Sequence, residues 1–100
     1  MKYARQRDKN ERDIVAALKA AGASVQQLDG TGVPDLLVSY RDVLHLIEVK
    51  NPDAKGGAKY NTGEGELTEG QVKWWSTWLG KRPVVVHTAA EALAAIGAES

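Results

Sequence analysis

Apolar positions recur at three- and four-residue intervals near the start of the chain. Ile14, Val15, Leu18 and Ala21 line one face of a helix expected from Arg5 to Ala21, with Gly22 placed to end it. Ser24 to Leu28 reads as a short strand polar enough for a sheet edge, and Asp29-Gly30-Thr31-Gly32 as a loop. The pattern then becomes almost continuously apolar. Asp35 to Tyr40 and Val43 to Val49 read as two strands joined across Arg41-Asp42, apolar enough for both faces of the hairpin to be covered. From Asn51 to Glu66 the apolar periodicity disappears, as expected of a functional or disordered loop. Thr68 and Gln71 have capping-box spacing at the head of a helix running to about Leu79 and stopped by Gly80. Pro83 to His87 is a short buried strand, and Thr88-x-x-Glu91 caps an alanine-rich helix ending near Gly97. The expected architecture is a single α/β domain over residues 1–100, with the order helix, three strands, helix, strand, helix.

Composition narrows the chemistry. The 100 residues carry 13 basic and 13 acidic side chains, so there is no overall basic field of the kind that coats DNA, although a local patch is still allowed. The absence of cysteine excludes disulfides, thiolate zinc sites and thiol nucleophiles. With only His45 and His87 beside it, a structural zinc site is not expected. No apolar run approaches the roughly 18 residues of a membrane span, and the polar, basic N-terminus lacks a signal-peptide core. The expectation is a soluble, cytoplasmic protein.

The hairpin carries the candidate chemistry. If it turns symmetrically about Arg41-Asp42, Tyr40 pairs with Val43 and, counting outward, Asp35 falls opposite Glu48. Directly opposed residues in an antiparallel pair have Cβ atoms about 4.5–5.5 Å apart, where like charges destabilise the sheet. Alternation along the strand puts Lys50 on the same side as Glu48. Two carboxylates and an amine then converge at the open end of the hairpin. A divalent cation would relieve the repulsion, and oxygen ligands suit magnesium or manganese. A three-residue loop or a bulge at the turn would separate the faces. Pro-Asp is common in turns and Glu-x-Lys arises by chance, but the full combination is far more selective than either fragment. Extending the first helical stripe back one turn reaches Glu11. From that helix alone, a glutamate at the stripe edge reaching water is the favoured reading.

Gly32-Val33-Pro34-Asp35, Glu48-Val49-Lys50, Glu11 on the preceding helix and Gln71 on the following one resemble the PD-(D/E)XK nuclease superfamily. Within it the chain most resembles the stand-alone virus-type replication-repair nuclease (VRR-Nuc) domains of bacteriophages and bacteria. The resemblance covers nearly the whole chain. It implies a restriction-endonuclease-like fold with a mixed central sheet, dependence on Mg²⁺ or Mn²⁺ without a nucleotide cofactor, and cleavage of branched or flapped DNA. It also implies a homodimer similar to Holliday-junction resolvases, in a bacterial or phage-infected cell.

In that scheme Asp35 and Glu48, with the Val49 carbonyl, bind the cation, and Glu11 reaches it directly or through water. Lys50 orients the attacking water or steadies the transition state. Gln71 has two competing readings, the capping-box partner of Thr68 or a residue that positions water and Lys50. The DNA path is expected to use Arg5, Arg7, Lys9 and Arg12 with Lys55 and Lys59, whose phosphate contacts give affinity without sequence information. Against the nuclease stand two alternatives, a nuclease-fold module that holds DNA or protein without cutting and a plain α/β interaction domain. His45 and His87 read as core or edge residues. Of Trp74, Trp75 and Trp78, two are expected in the core and the third is a candidate interface residue.

Overall fold

The computed structural model describes residues 9–51 and 67–98. Arg5, Arg7, Lys55 and Lys59, and nearly all of the 51–66 loop, lie outside them. The elements run α1 (Lys9–Ala20), β1 (Ser24–Gln27), β2 (Leu36–Tyr40), β3 (Val43–Val49), α2 (Glu69–Thr77), β4 (Val84–Val86) and α3 (Ala89–Ile96). The four strands form one mixed sheet in the order β1-β2-β3-β4, antiparallel except for the parallel pairing of β3 with β4. The fold is α/β, with the element order expected from the sequence.

The hairpin turn decides the register. Arg41 and Asp42 both have positive φ, 52° and 67°, the backbone of a two-residue turn whose twist matches that of the flanking strands. The Arg41 guanidinium lies 5.0 Å from the centre of the Tyr40 ring, within cation–π range. With two residues in the loop, Tyr40 pairs with Val43 and Leu36 with Ile47. One step further out, Asp35 stands opposite Glu48, as the symmetric turn requires.

Alternation along the strands gives the sheet two unlike faces. Leu36, Val38 and Ile47 pack with Ile14 and Leu18 of α1, Ala92 and Ile96 of α3, and Val86 of β4 in one apolar core. The opposite face presents Leu37, Leu44 and Leu46, which with Trp74, Trp78 and Leu79 line an open groove of about 450 Å³. Asp35 and Glu48 belong to this second face by register.

Three expectations need correction. The second helix stops at Thr77 rather than about Leu79, because Trp78 caps it in an extended conformation (φ −85°, ψ 122°). That conformation stacks the Trp78 ring on Trp74 at 4.8 Å and lets its Nε1 donate to the Lys81 carbonyl at 3.1 Å. Only Trp75 is buried; Trp74 is half-buried and Trp78 exposed, so one tryptophan rather than two enters the interior. Glu11 is 5% exposed and does not run out to water. The buried stripe of α1, Glu11, Ile14 and Leu18, thus continues one turn beyond its apolar residues.

Candidate active site

Asp35 arrives at the site from the loop that follows Gly32. Gly32 has φ +79°, and a side chain there would strike the carbonyl of Gly70 in the first turn of α2. Two glycines in backbone contact therefore bring the head of α2 down onto the loop that delivers Asp35. Gln71, the residue after Gly70, is set over the hairpin end as a result.

The side chains there form a connected network. Asp35 and Glu48 are almost completely buried, at 1% and 2% exposure. Asp35 Oδ2 accepts the Val49 N–H at 2.8 Å, which ties the start of β2 to the end of β3. Lys50 Nζ lies 3.6 Å from Glu48 Oε2 and donates to Gln71 Oε1 at 2.7 Å. Gln71 Nε2 donates to Glu48 Oε2 at 2.6 Å. The Thr68 N–H also donates to Gln71 Oε1, at 2.8 Å, and Thr68 Oγ1 accepts the Gln71 N–H at 3.2 Å. The two readings of Gln71 are thus compatible. Its side chain closes the capping box and bridges Glu48 to Lys50, and three fixed neighbours define which way round the amide sits.

The electrostatics are those of a site with too much negative charge. No N–H donor reaches the buried Glu48 Oε1, and the Glu48 and Asp35 carboxyls are close enough to share a proton. Burial, and after it the neighbouring Asp35 carboxylate, push the Glu48 pKa up to about 8, and Lys50 offsets only part of this. Within a protein interior, a bound cation or a proton is what such a pair calls for.

Glu11 comes from the first turn of α1. Its Oε2 accepts a long hydrogen bond, 3.4 Å, from Gln27 Nε2 at the end of β1. Among the described residues, no three His, Asp or Glu side chains come together closely enough to ligate a single ion. Asp35 and Glu48 make a pair, and Glu11 is not brought in as an equal third. Lys9 is exposed and paired with Asp13 at 3.1 Å, and Arg12 is exposed on the same helix.

His45 lies on the face away from Glu48, buried and 3.2 Å from Lys81 Nζ, with its pKa lowered by burial and then by the Lys81 charge. His87 faces Glu91, 3.0 Å from its carboxylate. Neither belongs to the carboxylate pair.

Sequence reasoning missed Gln27 and Asn10. Asn10 Nδ2 donates to the carbonyls of Lys50 (3.0 Å) and His87 (3.3 Å). A signal for it was present, since asparagine is a poor helix former and here directly precedes the one carboxylate on the buried stripe. No family model, curated protein or solved structure matches this chain.

Proposed function

We propose that this protein is a metal-dependent, structure-selective DNA endonuclease of the PD-(D/E)XK kind, with a restriction-endonuclease-like fold and a VRR-Nuc-like site. One observation carries the reading. Two buried carboxylates, one just before β2 and one in β3, stand side by side with no N–H donor reaching Glu48 Oε1, and a lysine two residues on is held beside them. A structural ion pair needs only one acid. Asp35 and Glu48, with the Val49 carbonyl, are the donors for Mg²⁺ or Mn²⁺, and Glu48 Oε1, which no N–H donor reaches, fits that role. Glu11 reaches the ion directly or through an intervening water.

The cation supplies Lewis acidity that activates water and offsets phosphate charge. The chain's own residues do the rest. Lys50 carries its positive charge to the edge of the carboxylate pair, where a scissile phosphate gains negative charge in the transition state. Gln71 holds Lys50 and Glu48 in one arrangement, so neither side chain has to be ordered when substrate arrives. The substrate class is branched or junction-containing DNA, contacted along its backbone by Arg5, Arg7, Lys9, Arg12, Lys55 and Lys59. A homodimer is the working assembly, and the exposed Leu44, Trp78 and Leu79 along the groove support an interface on that face.

The test is Mg²⁺- or Mn²⁺-dependent cleavage of duplex, flap, fork and four-way-junction DNA by the wild type and by folded Glu48→Ala and Lys50→Ala variants. Cleavage of branched DNA by the wild type, lost in both variants, is the expected result. Undiminished activity in either variant sinks the assignment, and wild-type binding without cutting makes the chain a non-cleaving module.

A further inference from the structure

Lys50 is the first residue beyond the end of β3, so strand pairing alone does not determine where its side chain points. Its backbone is held at two places. The Lys50 N–H donates to the Val86 carbonyl of β4 at 2.9 Å. Its own carbonyl is held by Asn10 Nδ2, which reaches across from the first turn of α1 and also meets the His87 carbonyl just past β4. The surroundings decide which way the Asn10 amide faces. It meets two carbonyl oxygens, so the nitrogen must lie toward them, and Oδ1 is left buried with no donor. The amide is kept for its two donations, at the expense of its own acceptor.

We infer that Asn10 is a positioning residue for the site. By fastening the carbonyl of Lys50 it determines how the chain leaves β3, and so seats Lys50 Nζ on Gln71 Oε1. By fastening the head of α1 to the ends of β3 and β4 it also sets the height of the next residue, Glu11, relative to Glu48. One side chain thus relates the helix-borne carboxylate to the strand-borne lysine. Its consequence for catalysis rests on the nuclease reading, but its consequence for the geometry of Lys50 and Gln71 does not.

The experiment compares wild type, Asn10→Ala, Asn10→Asp and Thr88→Ala. Aspartate keeps the shape of asparagine but, when ionised, has no proton to donate. Thr88→Ala removes the cap of α3 next to His87 without touching Lys50, and serves as the control for simple loss of stability. The first readout is the side-chain amide resonance of Gln71 in the metal-free protein. It shifts in both Asn10 variants and stays in place in Thr88→Ala. The second is Mn²⁺-dependent cleavage, in which both Asn10 variants lower kcat by about 10–100-fold, the usual loss when an outer positioning contact is removed. KM changes little, and Thr88→Ala matches the wild type at a temperature where it is folded. An unmoved Gln71 resonance in the folded Asn10 variants overturns the inference, as does an equal shift in Thr88→Ala. A Gln71 shift in a chain whose wild type never cleaves DNA leaves the positioning in place and removes the nuclease reading.

Discussion

The two faces of the sheet are built on opposite rules. Toward α1 and α3 lie Ile14, Leu18, Leu36, Val38, Ile47, Val86, Ala92 and Ile96, interlocking apolar side chains. Toward α2 lie two buried carboxylates, an open apolar groove and two stacked, partly exposed tryptophans. Ile47 and Glu48 are consecutive residues of β3 and point to opposite faces, so one strand serves both. The first face supplies the stability that lets the second hold groups that cost stability. Buried carboxylates with perturbed pKa values mark candidate functional sites, and the difference between the faces is what singles out the second for the proposed chemistry.

The most demanding test exchanges the expected phenotypes of those two neighbours. Ile47→Ala should cost about 2–5 kcal/mol of stability through a cavity, seen as a lowered urea midpoint, with cleavage per folded molecule retained. Glu48→Gln should lower cleavage by at least about 100-fold, as removal of electrostatic groups at a reacting centre commonly does. Near pH 9 without metal, it should leave the protein as stable as the wild type or more so. If Glu48→Gln destabilises like Ile47→Ala, the two faces do not differ in the way argued.

The Gly32–Gly70 contact comes next. Gly32→Ala places a side chain at φ +79° against the Gly70 carbonyl, a strained backbone worth about 1–3 kcal/mol. The head of α2 must also withdraw. Activity should fall with it, since Gln71 moves off Glu48 and Lys50, and the Gln71 side-chain amide resonance should report the displacement. Gly22→Ala offers a comparison, because its φ of +99° is equally unfavourable but nothing lies within reach of the added carbon. It should lose stability while sparing the site.

Gln71→Ala removes the hydrogen bonds to the Thr68 N–H, Lys50 and Glu48, and should lower stability by roughly 1–3 kcal/mol and cleavage by roughly tenfold through looser placement of Lys50. Helix content by circular dichroism should hardly change.

The last test is of pH dependence. The Glu48 pKa is raised from an ordinary 4.5 to about 8, so between those values the folded metal-free protein holds a proton that the unfolded chain has released. The stability from this group is fully present below about pH 4.5 and is lost as pH rises through 8, by at most about 1.4 kcal/mol per pH unit. On the proposed metal site, Mn²⁺ would compete with that proton, so the stabilisation it confers should grow over the same range. Thermal unfolding from pH 5 to 9, with and without Mn²⁺, measures both. A metal-free stability that rises with pH would contradict the buried-carboxylate picture.

Much of this was legible along the chain because it depends on local rules. Helical spacing marked α1, the Thr68 and Gly97 caps bounded α2 and α3, and counting outward from Arg41-Asp42 put Asp35 opposite Glu48, since a two-residue turn permits a single register. The sequence by itself determined the element order and the identity of the carboxylates and lysine, and gave the hairpin register on the condition of a two-residue turn, which the positive φ of Arg41 and Asp42 meets. Tertiary structure alone decided the burial of Glu11, the reach of Asn10 to Lys50 and His87, the approach of Gly70 to Gly32, and the dual use of Gln71. Each of these joins residues distant in sequence, and its outcome depends on how closely a helix settles on the sheet. Periodicity can say which face of a helix turns inward; the side chains it meets there follow only from packing.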